Sequence, residues 1–481
     1  MTKRIKDFIS LSHSPEKHIM ATPNKARKTT VGSIDASVLD FTAGSDLQLD
    51  LALVQADCIG SAAHVAMLSR MPVRPKIVTP ADCRAVTKEL GAIMRRAAAG
   101  RFVISMDDQD VHLAVERILT AKLGDLGKKI HTGRSRNDQV AVDLRLFARE
   151  QLLGVAAEAL ESAAVWVRFA RRHELLPMVG RTHMQPAMPS SVGLWASAHA
   201  ESLLDDVSLL MAVYDLNDQC PLGSAASYGV PLPIDRELTA RLLGFSRPVH
   251  NVLYAGNARG KVEALILQAM AQVMLSLSRA AQDLMLYTMP EFGYFTLPAE
   301  FGTGSSIMPQ KNNPDVVELI RARAARVSAC ASAVMDITRN LPSGYNRDLQ
   351  ETKGPFMEGI AVTRACLRSM TQMIEGMEAN GGALRKGFSP GVFATDRALE
   401  LVAQGMPFRD AYHHIKANLH ELESMNADEA VRKKTHLGAP GGLDFNGLDA
   451  RIRAGMAWQK DEWTAHCRVV SKLMGISYPV A

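Results

Sequence analysis

The residues best able to do chemistry lie in one short run, Gly302-Thr-Gly-Ser305-Ser306-Ile-Met-Pro309-Gln310-Lys311-Asn312-Asn313-Pro314. Two serines, a lysine and two asparagines stand between mobile glycines and an apolar, helix-period segment. Pro314 suits a first helical position and Asn313 the cap before it. Free N–H groups and the macrodipole at such an N-terminus stabilise negative charge. Here they would hold a carboxylate, or the extra charge when that carboxylate becomes an aci-carboxylate. A serine within reach of Lys311 could have its proton affinity lowered and act as a base. An ordinary capped helix explains Asn313-Pro314 equally well, but it does not explain the whole string.

Three further strings carry suitable side chains. Gly180-Arg181-Thr182-His183-Met184-Gln185-Pro186 puts a histidine, the side chain best suited to proton exchange near neutral pH, in a loop between two long helices. A lone loop histidine is more often structural than catalytic. His131-Thr-Gly-Arg134-Ser135-Arg136-Asn137-Asp138 offers arginine for bidentate carboxylate recognition and an orienting amide, although Ser135 or Asn137 also reads as a helix cap. Tyr345-Asn-Arg347-Asp348-Leu-Gln350-Glu-Thr-Lys353 is a polar stretch between two apolar helices, and a solvated loop would look the same.

Long helices must position these strings. Apolar residues recur at three- and four-residue spacing from Val140 to His173, Ser190 to Asp218, Lys261 to Tyr287, Pro314 to about Asn340 and Pro355 to Asn380. The third period is apolar on nearly every side and predicts a central helix. Five helices of seven or more turns, about 40 Å each, exceed the needs of one compact domain and predict a rod-like bundle that associates with copies of itself. No alternating strand pattern is evident; a small hairpin near Ser343–Tyr345 stays open. The organisation expected is a flexible extension over 1–37, a helical unit over 38–134, the bundle over 135–388 and a last helical unit over 389–481.

Composition narrows the classes. The 481 residues are 47% hydrophobic, 22% charged and only 5% aromatic, which argues against a β-sandwich, a collagen-like fibre and a disordered chain. The net charge of +5, from 55 basic and 50 acidic residues, is interspersed, so nucleic-acid binding is not indicated. The most apolar stretch, Ala264 to Leu286, carries Gln268, Gln272, Arg279 and Asp283, which argues against a membrane span. Six cysteines without a CxxC pair predict no disulfide scaffold or zinc ribbon and a reducing, cytoplasmic setting.

Taken together the strings resemble the argininosuccinate lyase and δ-crystallin family of the fumarase/aspartase superfamily, over nearly the whole chain from about Val38. Ser305-Ser-Ile-Met-Pro-Gln-Lys-Asn-Asn-Pro matches the superfamily signature, with Gln310 as the argininosuccinate-lyase variant. The strings at His131 and Gly180 match two further signatures. Thr395-Asp396 and Gly405-x-Pro-Phe-Arg-x-Ala-Tyr resemble the C-terminal part. The resemblance implies an all-α, three-domain subunit in a homotetramer, with a shared central bundle and active sites built from three subunits. The implied reaction is reversible β-elimination of argininosuccinate to arginine and fumarate, with neither cofactor nor metal. Ser305 would take the proton, with Ser306 beside it; Lys311 and Asn313 would stabilise the aci-carboxylate. His183, polarised by Glu318, would serve the leaving nitrogen. Thr182, Ser135, Arg136 and Asn137 would hold carboxylates, and Tyr345, Gln350 and Lys353 would complete the pocket.

Two departures touch the arginine end. Asp46 stands where the family has a serine, with Asp50 kept, and the family's Glu-Asp-x-His reads Gln109-Asp110-Val111-His112. Gln350 and Lys353 could clamp the amino-acid carboxylate, while Asp46 and Asp50 could face its ammonium. Two alternatives follow: a related lyase releasing fumarate from another N-substituted aspartate, and a non-catalytic, crystallin-like structural protein.

Overall fold

The computed structural model describes residues 27–29 and 32–480. Most of the expected flexible extension lies outside them; residues 27–29 and 32–34 pair as a short antiparallel hairpin.

Five long helices form the bundle: Arg136–Arg172, Val192–Asn217, Lys261–Tyr287, Asp315–Thr338 and Lys353–Glu375. Their apolar faces pack on one another, the first against the second, the third against the second and fourth, and the fifth against the first and fourth. The last two, of 24 and 23 residues, fall just short of the expected seven turns. Trp166 is fully buried and meets Trp195 edge-on at 5.4 Å. Gly359 lets the fifth helix approach the third: a Cβ there would lie 2.4 Å from Leu267 Cδ2. Lys261–Tyr287 is long and apolar enough to cross a bilayer, but it packs between the second and fourth helices, as a core helix does.

Helix ends are set by local chemistry. Ser135 and Asp138 form a capping box at the start of the first bundle helix. Asp110 caps Val111–Leu123 by accepting from Leu113 N–H at 2.8 Å. Val54–Arg70, Pro80–Ala98 and Val111–Leu123 build the N-terminal helical unit, and Phe445–Met474 returns to lie along the first bundle helix.

Two expectations are corrected. The segment after the first bundle helix is a β-hairpin rather than a loop: Pro177–Thr182 pairs antiparallel with Gln185–Ser191. Pro186 and Pro189 and a register shift at Gly180/Arg181 interrupt the alternation that would have announced it. Asn313 is not a cap: it pairs with Thr303 in a two-residue bridge, and the fourth bundle helix starts at Asp315 after Pro314. Residues 343–345 form no hairpin.

Candidate active site

The first cluster forms where the N-terminal unit meets the start of the first and fifth bundle helices. Lys353 is buried, with Nζ 2.8 Å from Asp46 and 2.7 Å from Asp50. Asp50 also accepts from Val111 N–H at 3.1 Å, which ties the site to the Val111–Leu123 helix. Burial is the main influence on Asp46 and raises its pKa to about 6, with Lys353 pulling the other way. Asp110 is ion-paired with Arg136, one residue past the Ser135 cap and beside Asn137. Gln350 donates to the Thr42 carbonyl at 2.9 Å, and Tyr345 stands exposed just before this stretch.

His112 is buried on the same helix. Its Nδ1 lies 2.8 Å from Asp57 and 3.6 Å from Asp143. Burial alone would lower its pKa; the Asp57 hydrogen bond and the charges of Asp110, Asp57 and Asp143 outweigh that and raise it to about 9. Burial, with Asp57 alongside, pushes the Asp143 carboxyl well above the usual carboxylate range. Asp57 and Asp143 were not among the expected site residues. A signal existed: Asp143 follows Arg136 by seven residues on one helical face, inside an apolar run.

Each of these groups has a partner within the chain. Lys353 is already compensated by two carboxylates, and the Gln350 amide is held by the Thr42 carbonyl. Within the chain, Asp46 faces Lys353.

The other two strings lie elsewhere. Thr182 and His183 sit exposed at the tip of the hairpin, beyond the C-terminal end of the first bundle helix. Arg136 begins that 37-residue helix, so its two ends are about 54 Å apart at ~1.5 Å per residue. Ser305, Ser306 and Lys311 lie on the loop ahead of the fourth bundle helix. Ser305 Oγ accepts from the N–H groups of Ile307 and Met308 at 3.3 and 3.0 Å, while Ser306 and Lys311 are exposed. Glu318 is exposed on the first turn, and the Thr303 hydroxyl donates to Asp315. Among the described residues, no hydrogen bond or ion pair joins His183, Glu318 or Ser305 to the Lys353 cluster within the chain. The chain thus brings Asp46, Asp50, Asp110, His112, Arg136, Asn137, Gln350 and Lys353 to one end, and leaves the proton-transfer candidates on accessible tips.

The long-helix bundle has the fold of solved lyases and of a fumarase. The backbone matches an EDDS lyase solved in complex with formate (TM-score 0.75, 22% identity, 94% of this chain and 99% of that one). It also matches a class II fumarase from Schistosoma mansoni (TM-score 0.68, 15% identity, 90% and 99%). A family model described as "Lyase" matches residues 37–329. The sequence is 44% identical over 421 residues to the argininosuccinate lyase of Sorangium cellulosum, covering 88% of this chain and 97% of that one. It is 41% identical to the argininosuccinate lyase of Phocaeicola vulgatus over 86% and 91%. The chain belongs to the argininosuccinate lyase family and is a carbon–nitrogen lyase.

Proposed function

We propose that the protein cleaves argininosuccinate to arginine and fumarate by β-elimination, without a cofactor, as a cytoplasmic homotetramer. The observation that carries the reading is the 44% identity to a curated argininosuccinate lyase along 97% of its length. Chemically, Ser305 takes the proton from the carbon beside the carboxylate. Lys311 and Asn313 stabilise the aci-carboxylate, and the electron pair expels the guanidino nitrogen, which His183 protonates with Glu318 behind it. Thr182, Arg136 and Asn137 hold the dicarboxylate end. The ~54 Å between Arg136 and the far end of its helix supports a site assembled from several copies.

A second reading has one observation in its favour. Asp46 occupies Lys353, so a substrate whose nitrogen substituent lacks an α-carboxylate would not have to displace it. Incubating the purified protein with argininosuccinate and following the ultraviolet absorbance of fumarate tests both readings. Fumarate release supports the first. No release, with release from another N-substituted aspartate, replaces it by the second.

A further inference from the structure

The hairpin that carries His183 turns through two residues, His183 (φ 52°) and Met184 (φ 64°), both left-handed and neither glycine nor asparagine. Two-residue hairpin turns of this kind strongly prefer Asn-Gly, because side chains with a Cβ are strained there. Such strain persists only where the surroundings over-determine it, and it gathers at functional sites. Two contacts of Arg181 over-determine it here. Arg181, just before Thr182, sends Nη1 across the turn to donate to the Met184 carbonyl at 3.2 Å. Its guanidinium sits over the Phe292 ring, 4.9 Å from the centroid. A register shift pairs Gly180 with Met188 but Arg181 with Pro186, leaving Ala187 as an extra residue. Bulges of this kind re-aim neighbouring side chains.

We propose that Arg181 is the positioning residue for His183. Its bond to the Met184 carbonyl, braced on Phe292, holds the turn whose geometry fixes where the imidazole projects. The inference rests on the reading that His183 acts in the elimination. Arg181 does not touch the substrate in this account; it acts through the turn.

Steady-state kinetics on four variants of the full-length protein test it, with His183→Asn assayed alongside as the reference. Arg181→Met keeps an apolar stem on Phe292 but loses the hydrogen bond. Its kcat should fall about 10- to 100-fold, the scale on which small misplacements slow catalysis, with KM changed by less than about threefold and Tm unaltered. Arg181→Lys can still donate to a carbonyl but lacks the planar fork, so its kcat should lie between wild type and Arg181→Met. Met184→Asn alone should match wild type. Added to Arg181→Met it should recover about tenfold in kcat, because asparagine enters the left-handed region readily. That recovery separates positioning from general destabilisation. Wild-type kcat in Arg181→Met, or a loss that tracks Tm and is not recovered by Met184→Asn, overturns the role of Arg181 alone. Wild-type turnover in His183→Asn overturns the reading of His183, and this role with it.

Discussion

The two ends of the first bundle helix are built on opposite principles. At its N-terminal end, Lys353, Asp46, Asp50, His112, Asp57 and Asp143 are buried, with Lys353 paired to Asp46 and Asp50 and His112 to Asp57 and Asp143. Beyond its C-terminal end, His183 stands on an exposed, strained turn, and Ser305 occupies an accessible loop near the start of another helix. A buried charge network is rigid and costly to break. An exposed tip contributes little to stability and can be spent on chemistry or on meeting another copy. On the proposed mechanism, the same chain therefore separates recognition, at the buried end, from proton transfer, at the exposed tips.

Substitutions at the two ends should split accordingly. The largest effect belongs to the tips: Ser305→Ala and His183→Asn should each lower kcat by about 10²–10⁴, the usual cost of losing a general acid or base, and leave Tm and the circular dichroism spectrum unchanged. Near-normal turnover in Ser305→Ala would shift the role to Ser306. The buried end should behave in the reverse way. Lys353→Met leaves Asp46 and Asp50 without their cation and should cost about 3 kcal/mol or more in denaturant unfolding. Adding Asp50→Asn should return part of that loss.

Smaller effects follow from protonation. The folded state raises His112 from 6.5 to about 9, so its stabilising contribution is complete below about pH 6.5 and is lost as pH rises through about 9. Tm should fall over that window, and His112→Gln should flatten the fall. The carboxyl of Asp46, raised to about 6, titrates below it. The mildest expectation concerns specificity. If Asp46 competes with a substrate carboxylate for Lys353, Asp46→Ser should lower KM for argininosuccinate by about tenfold, the worth of one charge-assisted contact. Wild-type KM should move the same way as pH drops through about 6, and the variant should not respond. An unchanged KM in Asp46→Ser would mean that Lys353 is structural.

Much of this was legible in the sequence because long amphipathic periods are strong signals. Lys261–Tyr287 emerges at the very residues expected, and the other four bundle helices within a few residues. The hairpin was not legible, since Pro186, Pro189 and a bulge erase the two-residue period on which strand recognition depends. Asn313 was misread as a cap because the local motif says nothing about Thr303, ten residues earlier, which claims it as a pairing partner. Side-chain types identified the site strings, but not their company. That Lys353 would be bracketed by Asp46 and Asp50, some 300 positions earlier, is a fact of tertiary packing.

On the proposed mechanism, Arg136 and His183 of one chain serve different sites, because a helix of about 54 Å keeps them apart. Mixing subunits tests it most directly. Arg136→Met and His183→Asn proteins, each inactive alone, are dissociated together, reassociated and assayed for fumarate release from argininosuccinate. Activity should return in the hybrid, where some sites draw an intact Arg136 from one chain and an intact His183 from another. Hybrids that form, as shown by mass, yet remain as inactive as their parents would contradict it.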